Sequence, residues 1–315
     1  MIDIYLRSGG QLLAADAGID ADALERAAWI DLLDPSDDER ARVATLLRRE
    51  LPDSEDVEEI EASARFFEDE DGLHIHSLFL HEVDGKPRNT SVAFTLAGSR
   101  VVSLRERDIP AFRLLRMRAR KDPTVTADAI HVLLSLFEIK MDHLADTLED
   151  VYNGLESVST SVLEVSNTDM EDALDALAQH EDTNGKARLC LMDTQRALTF
   201  LLRRGRLEAE HSQRARELLR DIESLSTHNS FVFDKINFLM DTAQGFINIE
   251  QNQIIKTFSI AAVVFLPPTL VASIYGMNFD YMPELHWLLG YPWALGLMFL
   301  AGVAPYWYFK RKGWL

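Results

Sequence analysis

Ser273 to Leu285 reads SIYGMNFDYMPEL. It closes one long apolar run and leads into a second. No residue is charged from Thr257 to Phe279, and none from Trp287 to Phe309; each run is 23 residues long. At about 1.5 Å per residue, a helix of that length crosses the roughly 30 Å hydrocarbon core of a bilayer. Two such runs back to back predict a transmembrane hairpin, not two buried core helices.

The flanks predict its orientation. Lys256 precedes the first run and KRKGWL follows the second, while the connecting NFDYMPELH has no Lys or Arg. The positive-inside rule then puts both ends in the cytosol and the loop outside. Tyr306, Trp307 and Tyr308 suit an interfacial aromatic belt. The opening MIDIYLRSGG has no basic region before an apolar core, so no cleavable leader is expected.

The rest of the chain is acidic. The formal net charge is -19 over 315 residues. From Lys256 onward four cations face two acids, which leaves about -21 on the first 255 residues. Such a body repels phosphates and argues against a nucleic-acid partner. The single cysteine, Cys190, excludes an internal disulfide.

Residues 1–124 read as an acidic α/β domain. HIHSLFLHEV, SVAFTL and RVVSLRE are short β-rich runs, with turns at Asp84-Gly85 and Ala97-Gly98. SDDERARVATLLRREL reads as a helix capped at Ser36 or Asp37. After Asp122-Pro123 the character changes, and residues 125–206 read as antiparallel helices with breaks near Val165–Thr168 and at Gly185. A stalk helix over 207–279 runs on into the membrane, its lipid part about 256–277. An external loop over 278–286, a second membrane helix over 287–309 and a basic tail over 310–315 follow. In the stalk, Leu218, Leu225, Val232, Leu239 and Phe246 recur every seven residues, with Ile222, Asn229, Ile236 and Ala243 between them. This is a coiled-coil pattern. We read it as a self-association surface because it feeds into a membrane helix; the alternative is a seam against the preceding helices.

On a 3.6-residue wheel Asn252, Ile255, Ser259, Ala262, Leu266, Thr269 and Ser273 share one stripe. A stripe of small and polar residues fits helix packing or a water-lined path equally. Pro267-Pro268 frees backbone carbonyls, which membranes tolerate where protein or water answers them. An isolated Gly-x-Asn is ordinarily a helix C-cap and turn. Repeated around an axis, Asn278 would instead supply a ring of neutral amide oxygens. Such a ring suits a cation that keeps its water, as Mg2+ does. Asp280 and Glu284 would concentrate cations at that mouth.

YGMNFDYMPEL, the short loop, the second run and YFKRKGWL together resemble the CorA family of magnesium transporters, within the two-transmembrane GxN superfamily. ARLCLMDTQRALTFLLRRGRL carries the resemblance too, whereas the first 120 residues share only length, acidity and α/β character. The resemblance implies an α/β N-terminal cytosolic domain, long α-helices forming a funnel and a C-terminal two-helix hairpin, assembled as a homopentamer. It implies residence in the plasma membrane, the inner membrane of a cell that has two. It puts Asn278 at the outer mouth as the selectivity ring, shaped by Gly276 and Met277. Family pore positions fall on Asn252, Ile255, Phe258, Leu266 and Thr269; the wheel favours Ser259 over Phe258. The apolar members would gate by dewetting. Asp241 matches a regulatory metal position in some relatives. Many relatives have Glu at Asp280 and a basic residue at His286, so loop affinity does not carry across.

No Walker-type loop is present, so the drive would be electrochemical. A divalent ion moving through 100 mV gains about 4.6 kcal/mol, enough for more than a thousandfold gradient. We therefore expect a channel-like uniporter for Mg2+, passing Co2+ and Ni2+ as well, with Mg2+ as transported and regulatory ion and no other cofactor. Cytosolic Mg2+ between carboxylates of adjacent subunits would close it. His74, His76 and His81 read as polar strand-face residues and not as a metal site; Cys190 reads as packed. No enzyme motif is found. The competing readings are a Zn2+ transporter resembling ZntB and an acidic coiled-coil scaffold anchored by a hairpin.

Overall fold

The computed structural model describes residues 2–8, 11–14, 26–47, 65–70, 72–122, 127–163, 170–278, 280 and 282–313. It forms two compact units, Met1–Met240 and Asp241–Leu315.

In the first unit β1 (Ile2–Ser8), β2 (Gln11–Ala14), β3 (Ala27–Leu33), β4 (Phe66–Asp69), β5 (Gly72–Val83), β6 (Lys86–Ala97) and β7 (Arg100–Arg105) make one sheet. Its order is β2-β1-β3-β7-β6-β5-β4. Among the described residues only the pairing of β3 with β7 is parallel. The expected hairpins are present. Asp84 and Gly85 have φ of 53° and 72°, the left-handed pair whose twist suits a two-residue hairpin turn. The helix α1 (Asp37–Leu47) starts with a capping box. The Glu39 backbone N–H donates to Ser36 Oγ at 3.4 Å, and the Ser36 N–H donates to the Glu39 carboxylate at 2.9 Å.

Two buried charge networks fix the sheet. Arg105 donates to both oxygens of Asp31, at 3.1 and 2.8 Å, and both side chains are fully buried. This bidentate pair joins β3 to β7, the pairing with the largest sequence separation in the sheet. Asp193, in the stretch LCLMDTQRA, ties a helix to the sheet. Its Oδ2 accepts from Ser77 Oγ at 2.7 Å and from the Leu78 N–H at 2.8 Å. Lys140 donates to Ser77 Oγ at 3.0 Å and lies 3.9 Å from Asp193. Burial pulls the Lys140 ammonium below its ordinary range, against the upward pull of Asp193.

Four helices complete this unit: α2 (Pro110–Lys121), α3 (Ala129–Leu163), α4 (Met170–Arg204) and α5 (Ala209–Tyr275), which runs past its end. The break expected near Val165–Thr168, and Pro123, lie outside the described residues. Gly185 does not break α4; the helix is continuous through it, because one glycine costs only about 1 kcal/mol.

The self-association reading of the heptads needs correcting. Leu218, Ile222, Asn229, Val232, Ile236 and Leu239 are buried within one chain. The seam meets α3 and α4. Asn229 Nδ2 donates to Asn184 O and Oδ1 at 2.9 and 2.8 Å, and Arg214 forms an ion pair with Glu138. Heptad spacing says that a stripe is buried, not by what, and the preceding helices cover it here.

In the second unit α5 continues to Tyr275, a short 3-10 helix spans Pro283–His286, and α6 spans Gly290–Arg311. The helix α6 thus starts and ends later than the uncharged run. Lys310 and Arg311 fall in its last turn, where cations suit the carbonyl end of a helix.

Candidate functional site

The apolar part of α5 is long enough to cross a membrane, yet 6% of that stretch is buried. Core helices bury such surface; this one leaves Ile255 62%, Phe258 73%, Phe265 70% and Leu266 65% exposed. An apolar surface of this extent has lipid or protein as its natural solvent. Among the described residues α5 is the one helix meeting both length and apolarity for a span.

All five residues expected to line a path lie on this exposed helix. Asn252, Ile255, Phe258, Leu266 and Thr269 are each exposed, as is Ser259. Leu266 and Thr269 share a shallow groove of about 430 Å3 with Ala262, Phe265, Leu270 and Ser273. The Thr269 hydroxyl donates back to the Phe265 carbonyl at 2.7 Å, which leaves its lone pairs facing outward as acceptors. Pro267 and Pro268 sit inside the unbroken helix. Gly302 of α6 lies against Pro268, where an added Cβ would come within 3.3 Å of its ring.

At the end of α5 the Gly276 N–H donates to Ala272 O at 2.9 Å and the Met277 N–H to Ile274 O at 3.3 Å. Gly276 is not left-handed, so the glycine C-cap that a bare Gly-x-Asn suggests is not what this glycine supplies. Asn278 follows, exposed and without a hydrogen-bond partner among the described residues. Asp280 is exposed and Glu284 half-buried in the 3-10 helix. The loop closes tightly on Gly290, where a Cβ would stand 2.3 Å from Glu284 O. Asp241 is exposed on α5.

The first unit holds features that sequence reading missed. A concavity of about 600 Å3 is lined by acids including Glu82, Asp146, Asp150 and Asp182, drawn from β5, α3 and α4. Asp128, His131 and His211 converge, although 80 residues separate the two histidines. No spacing rule links them; the Asp-x-x-His step alone was visible. The strand histidines are buried and not polar surface. His74 bonds Asp69 at 3.0 Å and Thr95 at 3.2 Å. His76 is pushed down to about 4, chiefly by burial. Cys190 is packed as expected, its thiol pushed up to about 12 by burial.

An α/β and helical unit, continued by an apolar helix that is almost wholly unburied, is the build of a membrane protein. The chain matches the family of CorA-like Mg2+ transporter proteins over residues 25–311. It is 57% identical to the magnesium transport protein CorA of Pectobacterium atrosepticum over 298 residues, 94% of each chain. The same holds for the magnesium transport protein CorA of Escherichia coli strain K12: 57% identity over 294 residues, 93% of each chain. In fold it is similar to the complete CorA magnesium transporter of Methanocaldococcus jannaschii, with a TM-score of 0.78 over 100% of this chain and 99% of that one, at 19% identity. The chain belongs to the CorA-like Mg2+ transporter family, a family of transport proteins and not of enzymes.

Proposed function

We propose that this chain carries Mg2+ across a membrane as a channel-like uniporter driven by the membrane potential, and passes Co2+ and Ni2+ as well. One observation carries the reading: the exposed apolar segment of α5 ends directly in Gly276-Met277-Asn278. In this reading residues 1–124 and the helices of 125–206 are cytosolic, and α5 lines the path. Residues 278–286 face outward, and 287–309 span back to the basic tail. Five copies surround one axis. The exposed positions Asn252, Ile255, Phe258, Leu266 and Thr269 face that axis, and the apolar ones close it by dewetting. Asn278 from each copy holds the ion through its water shell, because a neutral amide binds a hydrated Mg2+ weakly enough to release it. Asp280 and Glu284 draw cations to the mouth.

The relatives' magnesium transport and the acidity of the chain support this cargo. Cytosolic Mg2+ closes the path by bridging acids between copies, Asp241 among them. Purified full-length protein in liposomes loaded with a Mg2+-sensitive dye tests the reading. Influx should follow an imposed potential, need no pH gradient, and be lost in Asn278→Ala. Zn2+ flux that requires a pH gradient would favour the zinc reading, and no flux of any ion the scaffold. Asp241→Ala should lose inhibition by internal Mg2+; inhibition like that of the wild type removes Asp241 from the gate.

A further inference from the structure

We propose that Asp128, His131 and His211 bind one divalent transition-metal ion, of the class of Zn2+, Co2+ or Ni2+, which clips the start of α3 to the start of α5. The site is distinct from the transport path and does not rest on the transport reading.

Three atoms converge. Asp128 Oδ2 lies 2.9 Å from His131 Nδ1 and 3.1 Å from His211 Nε2, and the two nitrogens are 2.9 Å apart. Ligands at about 2.0–2.1 Å around a tetrahedral ion stand roughly 3.3 Å from one another. The cluster needs to open by only a few tenths of an ångström. Three protein donors leave a fourth position for water.

Protons alone do not satisfy this triangle. An ionised carboxylate only accepts, and each ring nitrogen either donates or accepts. If both nitrogens donate to Asp128, they face each other as two donors. If one accepts from the other, it faces the carboxylate as a second acceptor. Every placement leaves one of the three contacts mismatched. A metal ion takes a lone pair from each atom and resolves all three.

The surroundings fit a ligand set. Asp128 Oδ1 is engaged separately, accepting the His131 backbone N–H at 2.9 Å as the cap of α3, which fixes Oδ2 toward the imidazoles. The His131 and His211 side chains are 13% and 8% exposed, and Asp128 is 33% exposed, so one side stays open to an ion. The other nitrogen of His131 lies 3.9 Å from the exposed Glu210 carboxylate, which adds a negative charge near the site but no hydrogen bond. Two helix N-termini oppose a cation here; the Asp128 charge and Glu210 offset them. Imidazole pairs select transition metals, whereas Mg2+ prefers an all-oxygen octahedron.

The test uses tag-free full-length protein in detergent, stripped with chelator and titrated with Co2+ in excess Mg2+. We expect one Co2+ per chain with an intense tetrahedral visible spectrum, and a raised unfolding temperature with Co2+ or Zn2+. Asp128→Asn keeps a good helix cap but should lose the ion, as should His211→Gln. Asn278→Ala should bind like the wild type. Absence of that spectrum in the wild type, its survival in both triad variants while they remain folded, or its displacement by Mg2+ overturns the proposal.

Discussion

The helix α5 contrasts two stretches that both carry apolar side chains. From Leu218 to Leu239 its apolar stripe is buried against α3 and α4, and even its polar member, Asn229, is bonded to Asn184. From Ile249 onward most side chains are exposed, and the asparagine at its end, Asn278, has no partner among the described residues. The heptad stripe of the first stretch is covered within one chain. The second is incomplete, and only lipid, an ion path or further copies complete it. The contrast separates what holds this protein together from what it does.

The largest expected effect lies in the completed half. Asp193→Ala should destabilise the first unit by about 3–5 kcal/mol, because Lys140 is left buried and unpaired. Chemical unfolding followed by circular dichroism reads it, and a loss under about 1 kcal/mol would mean that water replaces the carboxylate. Next comes a matched pair on one helix. Ile236→Ala, at a fully buried position, should cost about 2–5 kcal/mol. Ile255→Ala, at a position 62% exposed, should cost less than about 0.5 kcal/mol while altering ion flux. Equal costs would erase the contrast. Asn184→Ala should cost about 1–3 kcal/mol, since it removes the buried side-chain bonds that Asn184 makes to the Asn229 amide and to the Asn229 carbonyl.

A smaller effect is set by pH. His76 titrates near 4 when folded, against an ordinary 6.5. Between those values the unfolded chain takes up the proton first, so stability falls as pH falls through that window and is flat in this respect above it. His81 is also pushed down by burial and acts in the same direction. His76→Gln should flatten part of the slope of unfolding free energy between pH 6.5 and 4; an unchanged slope would discharge His76.

Local chemistry was legible in the sequence where it acted over a few residues. The Ser36–Glu39 box marks the start of α1, and Asp84-Gly85 marks a hairpin. The β3–β7 pairing was not legible, because Asp31 and Arg105 meet across 74 residues. The heptads showed a buried stripe but not its partner, since periodicity carries no information about which surface covers it. At the candidate site the order of residues and the apolar span were readable directly. The meaning of Asn278 came from resemblance, because one chain contributes a single Asn278 amide and the proposed function needs several copies of it. The His131–His211 meeting had no local signal at all.

The most direct measurement of the central claim is inter-copy distance at Asn278. Asn278→Cys, spin-labelled in full-length protein in lipid nanodiscs, leaves Cys190 silent because that thiol is buried and pushed up to about 12. Our account predicts several labels per particle, close together around one axis, with strong dipolar coupling. Fully inserted protein whose labels show no coupling, or lie in lipid, would contradict it.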